Sequence, residues 1–292
     1  MTRVAGRTAF ITGGGSGVAL GQAKVFAAAG CKVAIADVRQ DHLDEAMAYF
    51  AGTDFEVMPV KLDITDRAAY AAAADAVEAR LGPVELLFNT AGVSIFGPLQ
   101  NATYDDWDWQ LDVNVKGVIN GIQTFVPRMI ERGNGGHVIN TASMSAFVAL
   151  KGTGIYCTSK MAIRGLSECL ALDLADSGIG VSMLCPGAVN TNIHEAVLTR
   201  PAHQQDTGYY GADPAVLAHL KRVIEVGMEP ETLAKYVLAG VEADELYILP
   251  YPEFRGTLED IHTRVMTALA QPEDDPEYAA RAAHGVPGGQ KA

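Results

Sequence analysis

Short apolar runs alternate with longer helix-patterned segments along most of the chain. Runs such as TAFIT (8–12), CKVAIAD (31–37) and PVELLFN (83–89) have the length and composition of buried strands. Strands that are apolar on both faces and separated by helix-length segments pair in parallel and are covered by helices. The pattern therefore predicts an α/β fold.

The same pattern sets the expected elements and domain limits. It predicts strands at 8–12, 31–37, 56–63, 83–89, 137–143, 179–187 and 246–250, and helices at 18–29, 41–51, 66–81, 104–131, 155–176 and 254–270. We expect a doubly wound, Rossmann-type, seven-stranded parallel sheet with helices on both faces, whose ligands bind beyond the carboxyl ends of the strands. One domain is expected over 1–270, with a lid at about 192–228 and a flexible polar tail at 271–292.

Composition and charge narrow the class of protein. Of 292 residues 49% are hydrophobic and 20% charged, which is typical of a folded chain. The net charge of −13 and the lack of a basic run argue against nucleic-acid or membrane-surface partners. No stretch has the length of a membrane span or the organisation of a signal peptide. Four dispersed cysteines without a CxxC motif predict reduced thiols in a cytoplasmic protein and no metal site.

A glycine-rich loop follows the first predicted strand and begins the first predicted helix. In TGGGSGVALG (12–21), Gly13 and Gly17 would let the backbone approach a pyrophosphate at the helix amino terminus. Asp37 ends the second strand, where a carboxylate binds ribose hydroxyls and repels a 2′-phosphate. Because Val38 follows and the loop has no basic residue, NAD(H) is favoured over NADP(H). Arg39, a basic residue close to Asp37, leaves NADP(H) as an alternative cofactor.

Four polar side chains are candidates for proton chemistry. Tyr156 and Lys160 stand one helical turn apart, so the lysine cation could lower the pKa of the phenol. Ser143 ends a predicted strand, where this fold places its ligand. Asn114 lies inside a predicted helix, where an amide is a poor helix former.

Together these motifs resemble the short-chain dehydrogenase/reductase family over about residues 5–250. The motifs are TGxxxGxG with Ala19 in the last position, Asp37, LDITD with Asp63, NTAG at 89–92 with Thr90 in place of an asparagine, Asn114, Ser143, Tyr-x-x-x-Lys and PGAVNT at 186–191. The resemblance implies that Tyr156 is the acid/base, that Lys160 tunes it and binds the nicotinamide ribose, that Ser143 holds the reacting oxygen, and that Asn114 holds a relay water.

The resemblance also implies a set of cofactor contacts along the carboxyl ends of the strands. The pyrophosphate would lie at the glycine loop, the ribose at Asp37, the adenine beside 63–64, and the carboxamide beside 189–191. The expected residues are Gly13, Ser16, Gly17, Val18, Asp37, Asp63, Ile64, Asn89, Ala91, Gly92, Tyr156, Lys160, Pro186, Gly187, Val189 and Thr191.

The loops above the sheet would select the substrate. Apolar side chains there predict a pocket for a large hydrophobic alcohol or ketone, lined by Phe96, Ser145, Phe147, Ile193 and Tyr209. Segments including TYDDWDW, LTRPAHQQDTGY and LYILPYPEFRGTLEDIH are similar to a subgroup of the family, the Cα-dehydrogenases of bacterial lignin β-aryl ether breakdown. That similarity implies NAD-dependent oxidation of a benzylic secondary alcohol.

The sequence leaves several substrates and one non-catalytic function as alternatives. The substrate could be a terpenoid, a steroid or a 3-oxoacyl thioester, or the chain could be a non-catalytic NAD(H)-sensing module. The resemblance further implies a homodimer or homotetramer, assembled through the helices at 104–131 and 155–176.

Overall fold

A seven-stranded parallel sheet forms the centre of the protein. The computed structural model describes residues 2–209, 222, 224, 226–269 and 277. The strands are β1 (Thr8–Thr12), β2 (Lys32–Asp37), β3 (Val57–Lys61), β4 (Val84–Asn89), β5 (Gly136–Thr141), β6 (Ile179–Leu184) and β7 (Tyr247–Ile248). Their order is β3-β2-β1-β4-β5-β6-β7 and every neighbouring pair is parallel. The predicted Rossmann-type fold is confirmed.

Helices connect the strands and cover the sheet. They are α1 (Gly17–Ala28), α2 (Gln40–Phe50), α3 (Arg67–Leu81), α4 (Tyr104–Leu111), α5 (Gly117–Arg132), α6 (Gly154–Asp173) and α7 (Pro230–Ala243). Helix α1 packs against α7, α3 against α5, and α4 against α6. The strand order reverses between β1 and β4, and this is the point where open α/β sheets bind ligands.

The interior contains mostly apolar side chains from the strands and the inner helix faces. Every residue of β1 is buried, as its uniformly apolar pattern predicts for a central strand. Phe10 lies in this core with its ring centroid 4.9 Å from that of Phe125 on α5 and 5.7 Å from that of Tyr70 on α3. These contacts fix the helices against the strands whose carboxyl ends carry the site.

The structure differs from the predicted elements at three places. The predicted helix 104–131 contains a π-helical segment, Asp112–Lys116, between α4 and α5. Helix α7 was not predicted, although Pro230 at its first turn and the buried Leu233, Val237 and Val241 show helical spacing. Strand β7 has only two residues, because Pro250 closely follows and lacks the N–H that a longer ladder would need.

The chain divides into two compact units, Met1–Tyr251 and Pro252–Ala292. In the second unit a 3₁₀ turn, Pro252–Phe254, leads into α8 (Arg255–Thr267). The predicted domain end near residue 270 stays a prediction. The tail predicted to be flexible lies outside the described residues, apart from residue 277.

Candidate active site

The glycine loop and the end of β2 form one wall of a cleft. Gly13 and Gly17 have φ of 72° and 52°, values that L side chains rarely adopt. A Cβ on Gly13 would lie 3.0 Å from Cα of Ala91, so this turn also requires a bare backbone. Asp37 Oδ2 accepts a hydrogen bond from the Gly15 N–H at 3.1 Å, which joins the loop to the acid predicted to hold a ribose.

The cleft beyond these strands has a volume of about 340 Å³. The 3₁₀ helix Ile193–Thr199, near the start of the predicted lid, contributes another wall of the cleft. The predicted cofactor residues that line it are Gly13, Ser16, Gly17, Val18, Asp37, Asp63, Ile64, Ala91, Gly92 and Thr191. The predicted substrate residue Ile193 lines the same cleft.

Three other predicted cofactor residues have structural partners at the edge of the site. The side chain of Asn89 is only 2% exposed and donates to Asn140 Oδ1 at 2.9 Å, so only its backbone could reach a ligand. Pro186 offers its carbonyl to the Met144 N–H at 2.8 Å. Val189 is buried and forms an isolated parallel bridge with Met228, and Gly187 lies between Pro186 and Val189. Their cofactor roles stay predictions.

Thr12, which sequence reasoning missed, organises the loop after β4. Its hydroxyl accepts the backbone N–H groups of Thr90 and Ala91 at 2.9 and 3.1 Å and donates to the Phe88 carbonyl at 3.1 Å. Thr12 is 2% exposed. A threonine at the end of a strand next to a ligand loop could have pointed to this role.

Ser143, Tyr156 and Lys160 converge beyond the ends of β5 and β6. Ser143 follows β5 by two residues, and its hydroxyl donates to the Pro186 carbonyl at 3.4 Å and lies near the Tyr156 phenol. Tyr156 and Lys160 are on α6, with the Lys160 ammonium 5.6 Å from the centroid of the phenol ring. Lys160 Nζ donates to the Thr141 carbonyl at 3.0 Å, which points it toward the strand end.

Burial shifts the pKa values of both Tyr156 and Lys160. It raises the pKa of Tyr156 to about 12, although the nearby Ser143 hydroxyl acts in the opposite direction. It also lowers the pKa of Lys160 to about 8. Desolvation of the phenolate is the largest cause of the raised pKa of Tyr156. The predicted role of Lys160 in lowering that pKa stays a prediction.

Asn114 lies in the π-helical segment and joins three elements. Its Oδ1 accepts the Val93 N–H at 2.8 Å, and its Nδ2 donates to the Val93 carbonyl at 2.9 Å and to Ser159 Oγ at 3.1 Å. Short π-helical segments occur frequently at functional sites. The amide thus fixes the loop after β4 against α6, while its predicted role toward a water stays a prediction.

The predicted substrate residues fall at different places around Tyr156. The ring of Phe96 meets that of Tyr156 edge-to-face, with centroids 5.9 Å apart. Tyr209 is buried and its ring covers the α-carbon of Gly97, the neighbour of Phe96. Ser145 donates its N–H to Ser143 Oγ at 3.1 Å.

Phe147 faces a different set of side chains. Its ring lies against Arg164, whose guanidinium carbon is 4.3 Å from the ring centroid, and its centroid is 6.4 Å from that of Tyr247. The structure therefore brings Phe96 to the acid/base candidate and engages Phe147 elsewhere. The substrate roles of both stay predictions.

A buried ion pair holds the described part of the lid in place. Arg200 Nη1 is 2.7 Å from Asp106 Oδ1, and both side chains are fully buried. Arg200 also donates to the carbonyls of Gln204 and Asp206 and lies 5.2 Å from the ring of Trp109. The segment that ends at Tyr209 is thus fixed to α4. The remaining predicted lid residues, 210–228, lie largely outside the described part of the chain.

The arrangement is suited to proton transfer beside a dinucleotide cleft. A phenol, a hydroxyl and an ammonium lie beyond the ends of β5 and β6, with an aromatic ring beside the phenol. Their side chains do not line the cleft, but a Cβ on the cleft residue Gly92 would lie 3.5 Å from Lys160 Nζ. In the part of the chain that the structure describes, no group of His, Cys, Asp and Glu side chains could hold a metal ion. No helix among the described residues is long and apolar enough to cross a membrane.

Comparisons with known proteins find a matching family model and a similar protein of known name. Residues 7–201 match the family model described as short chain dehydrogenase. The chain is 45% identical over 274 residues to a C alpha-dehydrogenase of Sphingobium sp. strain SYK-6, covering 94% of this chain and 90% of that protein.

Two crystal structures are also similar. LigO from Sphingobium sp. strain SYK-6, in its apo form, shares 54% identity at a TM-score of 0.82 over 97% of this chain and 96% of its own. A short-chain dehydrogenase/reductase from Burkholderia phymatum in complex with NAD shares 32% identity at a TM-score of 0.86, covering 94% of this chain and 99% of its own.

Proposed function

We propose a specific substrate class and cofactor for this chain, which belongs to the short-chain dehydrogenase/reductase family and is an oxidoreductase acting on CH–OH groups. The proposed reaction is NAD-dependent oxidation of a bulky hydrophobic secondary alcohol to the ketone. The proposed alcohol is benzylic, of the aryl ether type found in lignin. The observation that carries this proposal is the aromatic environment of the acid/base candidate, in which Phe96 contacts Tyr156 edge-to-face.

The residues of the cleft fit a dinucleotide. The glycine loop offers a bare backbone at the amino terminus of α1, where a pyrophosphate is stabilised. Asp37 lines the cleft at the end of β2, where its carboxylate would bind the ribose hydroxyls and disfavour a 2′-phosphate. These features support NAD rather than NADP. When bound, NAD⁺ would supply the hydride acceptor.

The side chains around the reacting oxygen have complementary roles in the proposed mechanism. Tyr156, once its phenol has released its own proton to solvent, would take the alcohol proton at the phenolate oxygen, while the nearby Ser143 would hold the reacting oxygen. A Lys160 pKa of about 8 leaves this side chain cationic at neutral pH. Its positive charge would then favour the phenolate form of Tyr156 that accepts the alcohol proton.

The substrate class is supported by similarity and by the local surface. The similar Sphingobium protein is named a C alpha-dehydrogenase, and its similarity extends across 94% of this chain. Phe96 and the buried Tyr209 give those loops an aromatic character. An aryl alcohol would complement this surface better than a charged thioester carrier.

A substrate panel tests the proposal. Purified protein with NAD⁺ is offered β-aryl ether alcohols, simple benzylic alcohols, terpenoid alcohols and steroid alcohols, and NADH formation is followed by absorbance. 3-Oxoacyl thioesters are tested with NADH in the reverse direction. We expect the highest kcat/KM for the aryl ether alcohols. Absence of turnover on every benzylic alcohol would contradict the proposed substrate class.

Tyr156→Phe separates catalysis from cofactor sensing. This variant should lose nearly all turnover and still bind NADH, because only the proton-transferring oxygen is removed. Thr158→Val is a matched control on α6, since its exposed hydroxyl only donates to the Gly154 carbonyl at 2.8 Å. NAD(H) binding without turnover on any alcohol or ketone would favour the sensing module instead.

We also propose a homo-oligomer in a reducing compartment. The helices predicted to pair carry exposed apolar side chains, with Ile119 and Ile130 on α5 and Met161 and Leu172 on α6. A second copy would cover such a face. The four unpaired cysteines support a cytoplasmic location. Sedimentation equilibrium measures the mass, and a monomer at micromolar concentration would contradict the assembly.

A further inference from the structure

Arg39 occupies the position beside Asp37 that most affects the choice between NAD and NADP. It lines the cleft, and its backbone N–H donates to Asp37 Oδ1 at 2.9 Å. An arginine near the strand-two acid can accommodate a 2′-phosphate in this fold. Arg39 taken alone would therefore permit NADP.

The guanidinium of Arg39 is already bound by two carboxylates. Its Nε donates to Asp41 Oδ1 at 3.1 Å and its Nη2 to Asp41 Oδ2, which makes a bidentate pair. Its Nη1 donates to Glu195 Oε2 at 2.9 Å. These pairs raise the pKa of Arg39 further above its normal value. The edge of the guanidinium that Asp41 leaves open is thus taken by Glu195.

Glu195 reaches Arg39 from the opposite wall of the cleft. It lies on the 3₁₀ helix Ile193–Thr199, far from α2 in the chain, and its carboxylate is also 3.9 Å from His42 Nε2. Lys61, the other cation nearby, directs its ammonium to the Val38 carbonyl. A phosphate at the ribose 2′ position would approach the carboxylates of Asp37, Asp41 and Glu195.

We propose that Glu195 is a cofactor-specificity residue, which excludes NADP by holding Arg39 across the cleft and by adding a carboxylate to the 2′ side of the ribose site. Asp41 alone leaves Nη1 of Arg39 open, and Glu195 closes it. This inference rests on the proposed dinucleotide site. The choice of cofactor would depend on Glu195 in the lid as well as on Asp37 at the end of β2.

Cofactor binding without alcohol tests the proposal directly. Dissociation constants of NADH and NADPH are measured by nucleotide fluorescence for the wild type and for Glu195→Gln. The glutamine keeps the size of the side chain and removes its charge. We expect the Kd ratio of NADPH to NADH to fall about tenfold, which corresponds to about 1.4 kcal/mol. NADH affinity should change less than NADPH affinity.

Two further variants distinguish the role of Arg39 from a general change of charge. The double variant Arg39→Gln/Glu195→Gln lacks the guanidinium that Glu195→Gln alone would free. Its Kd ratio of NADPH to NADH should therefore return toward the wild-type value. Asp44→Asn removes one charge from the exposed face of α2, where the carboxylate only accepts a bond from Gln40 at 2.9 Å, and should leave the ratio unchanged.

The outcomes separate this inference from the proposed function. A ratio within twofold of wild type in Glu195→Gln would overturn the inference, as would a gain that is undiminished in the double variant or that appears equally in Asp44→Asn. In each of these cases NADH still binds, so the dinucleotide site stands. A wild-type protein that binds neither nucleotide would instead refute the proposed function.

Discussion

The buried ammonium of Lys160 should destabilise the folded protein at neutral pH. Lys160 is only 4% exposed, and its Nζ donates to the Thr141 carbonyl at 3.0 Å. Among the described residues no carboxylate forms an ion pair with it. Burial accordingly lowers its pKa from 10.5 to about 8. The unfolded chain therefore holds this proton more tightly than the folded chain does.

The sign and size of the effect follow from proton linkage. Between about pH 8 and pH 10.5 the unfolded chain keeps a proton that the folded chain has released, so the free energy of unfolding rises with pH across this window. The two pKa values correspond to a destabilisation of about 3 kcal/mol at pH 7, which falls to about 1.5 kcal/mol near pH 9.5.

Lys160→Met should remove this destabilisation together with catalysis. The methionine fills similar volume without a charge, while loss of the hydrogen bond to Thr141 subtracts about 1 kcal/mol. We expect the free energy of unfolding to rise by about 2 kcal/mol at pH 7 and by less than about 1 kcal/mol near pH 9.5. Turnover should be lost at both pH values.

Urea unfolding at the two pH values measures the difference. Lys116→Met is the matched control, because Lys116 is an exposed lysine paired with Asp112 and should change stability by less than about 1 kcal/mol without the same pH trend. The reasoning fails if Lys160→Met destabilises the protein at pH 7. It also fails if the gain is the same at both pH values, since a pH-independent gain would come from packing and not from the charge.

Two other predictions concern buried polar groups that position the site. Asp106→Ala leaves Arg200 buried without its partner and should reduce the free energy of unfolding by about 3 to 5 kcal/mol. Glu231→Ala is the control, because it breaks only the partly exposed pair with Lys24 and should change the free energy of unfolding by less than about 1 kcal/mol. Thermal and urea unfolding measure both, and similar losses would contradict the assignment of Arg200 as the lid anchor. Thr12→Val deprives the Thr90 and Ala91 N–H groups of their acceptor and should destabilise by about 2 to 3 kcal/mol and weaken NADH binding; unchanged NADH affinity would refute its role in positioning the loop.

The pattern of apolar and polar residues along the chain was sufficient to predict most of the fold. Strands such as β1 are apolar on both faces and buried throughout, so length and composition identify them without tertiary information. Helix α7 was missed because its apolar positions follow a long turn-rich segment, although Pro230 marks its first turn. The π-helical segment around Asn114 has no composition of its own and depends on the contact of that amide with Val93.

The chemistry of the site was less predictable than its location. The spacing of Tyr156 and Lys160 placed both on one face of α6, as observed. The direction of the Tyr156 pKa depends on how completely tertiary packing removes water, and a sequence does not contain that quantity. For the same reason the pattern could not show that the Lys160 ammonium would be directed to the Thr141 carbonyl.

The contacts that sequence reasoning missed share one property, which is that they join residues distant in the chain. Arg39 meets Glu195 and Asp106 meets Arg200 only after the lid has folded over the sheet. Each pair connects the lid to a wall of the site, one at the ribose end of the cleft and one at α4. The Asp106–Arg200 pair is fully buried and fixes the lid to α4, whereas the Arg39–Glu195 pair is partly exposed and contributes less to stability. The proposed cofactor choice and the proposed substrate site would both depend on the same short segment, 193–209.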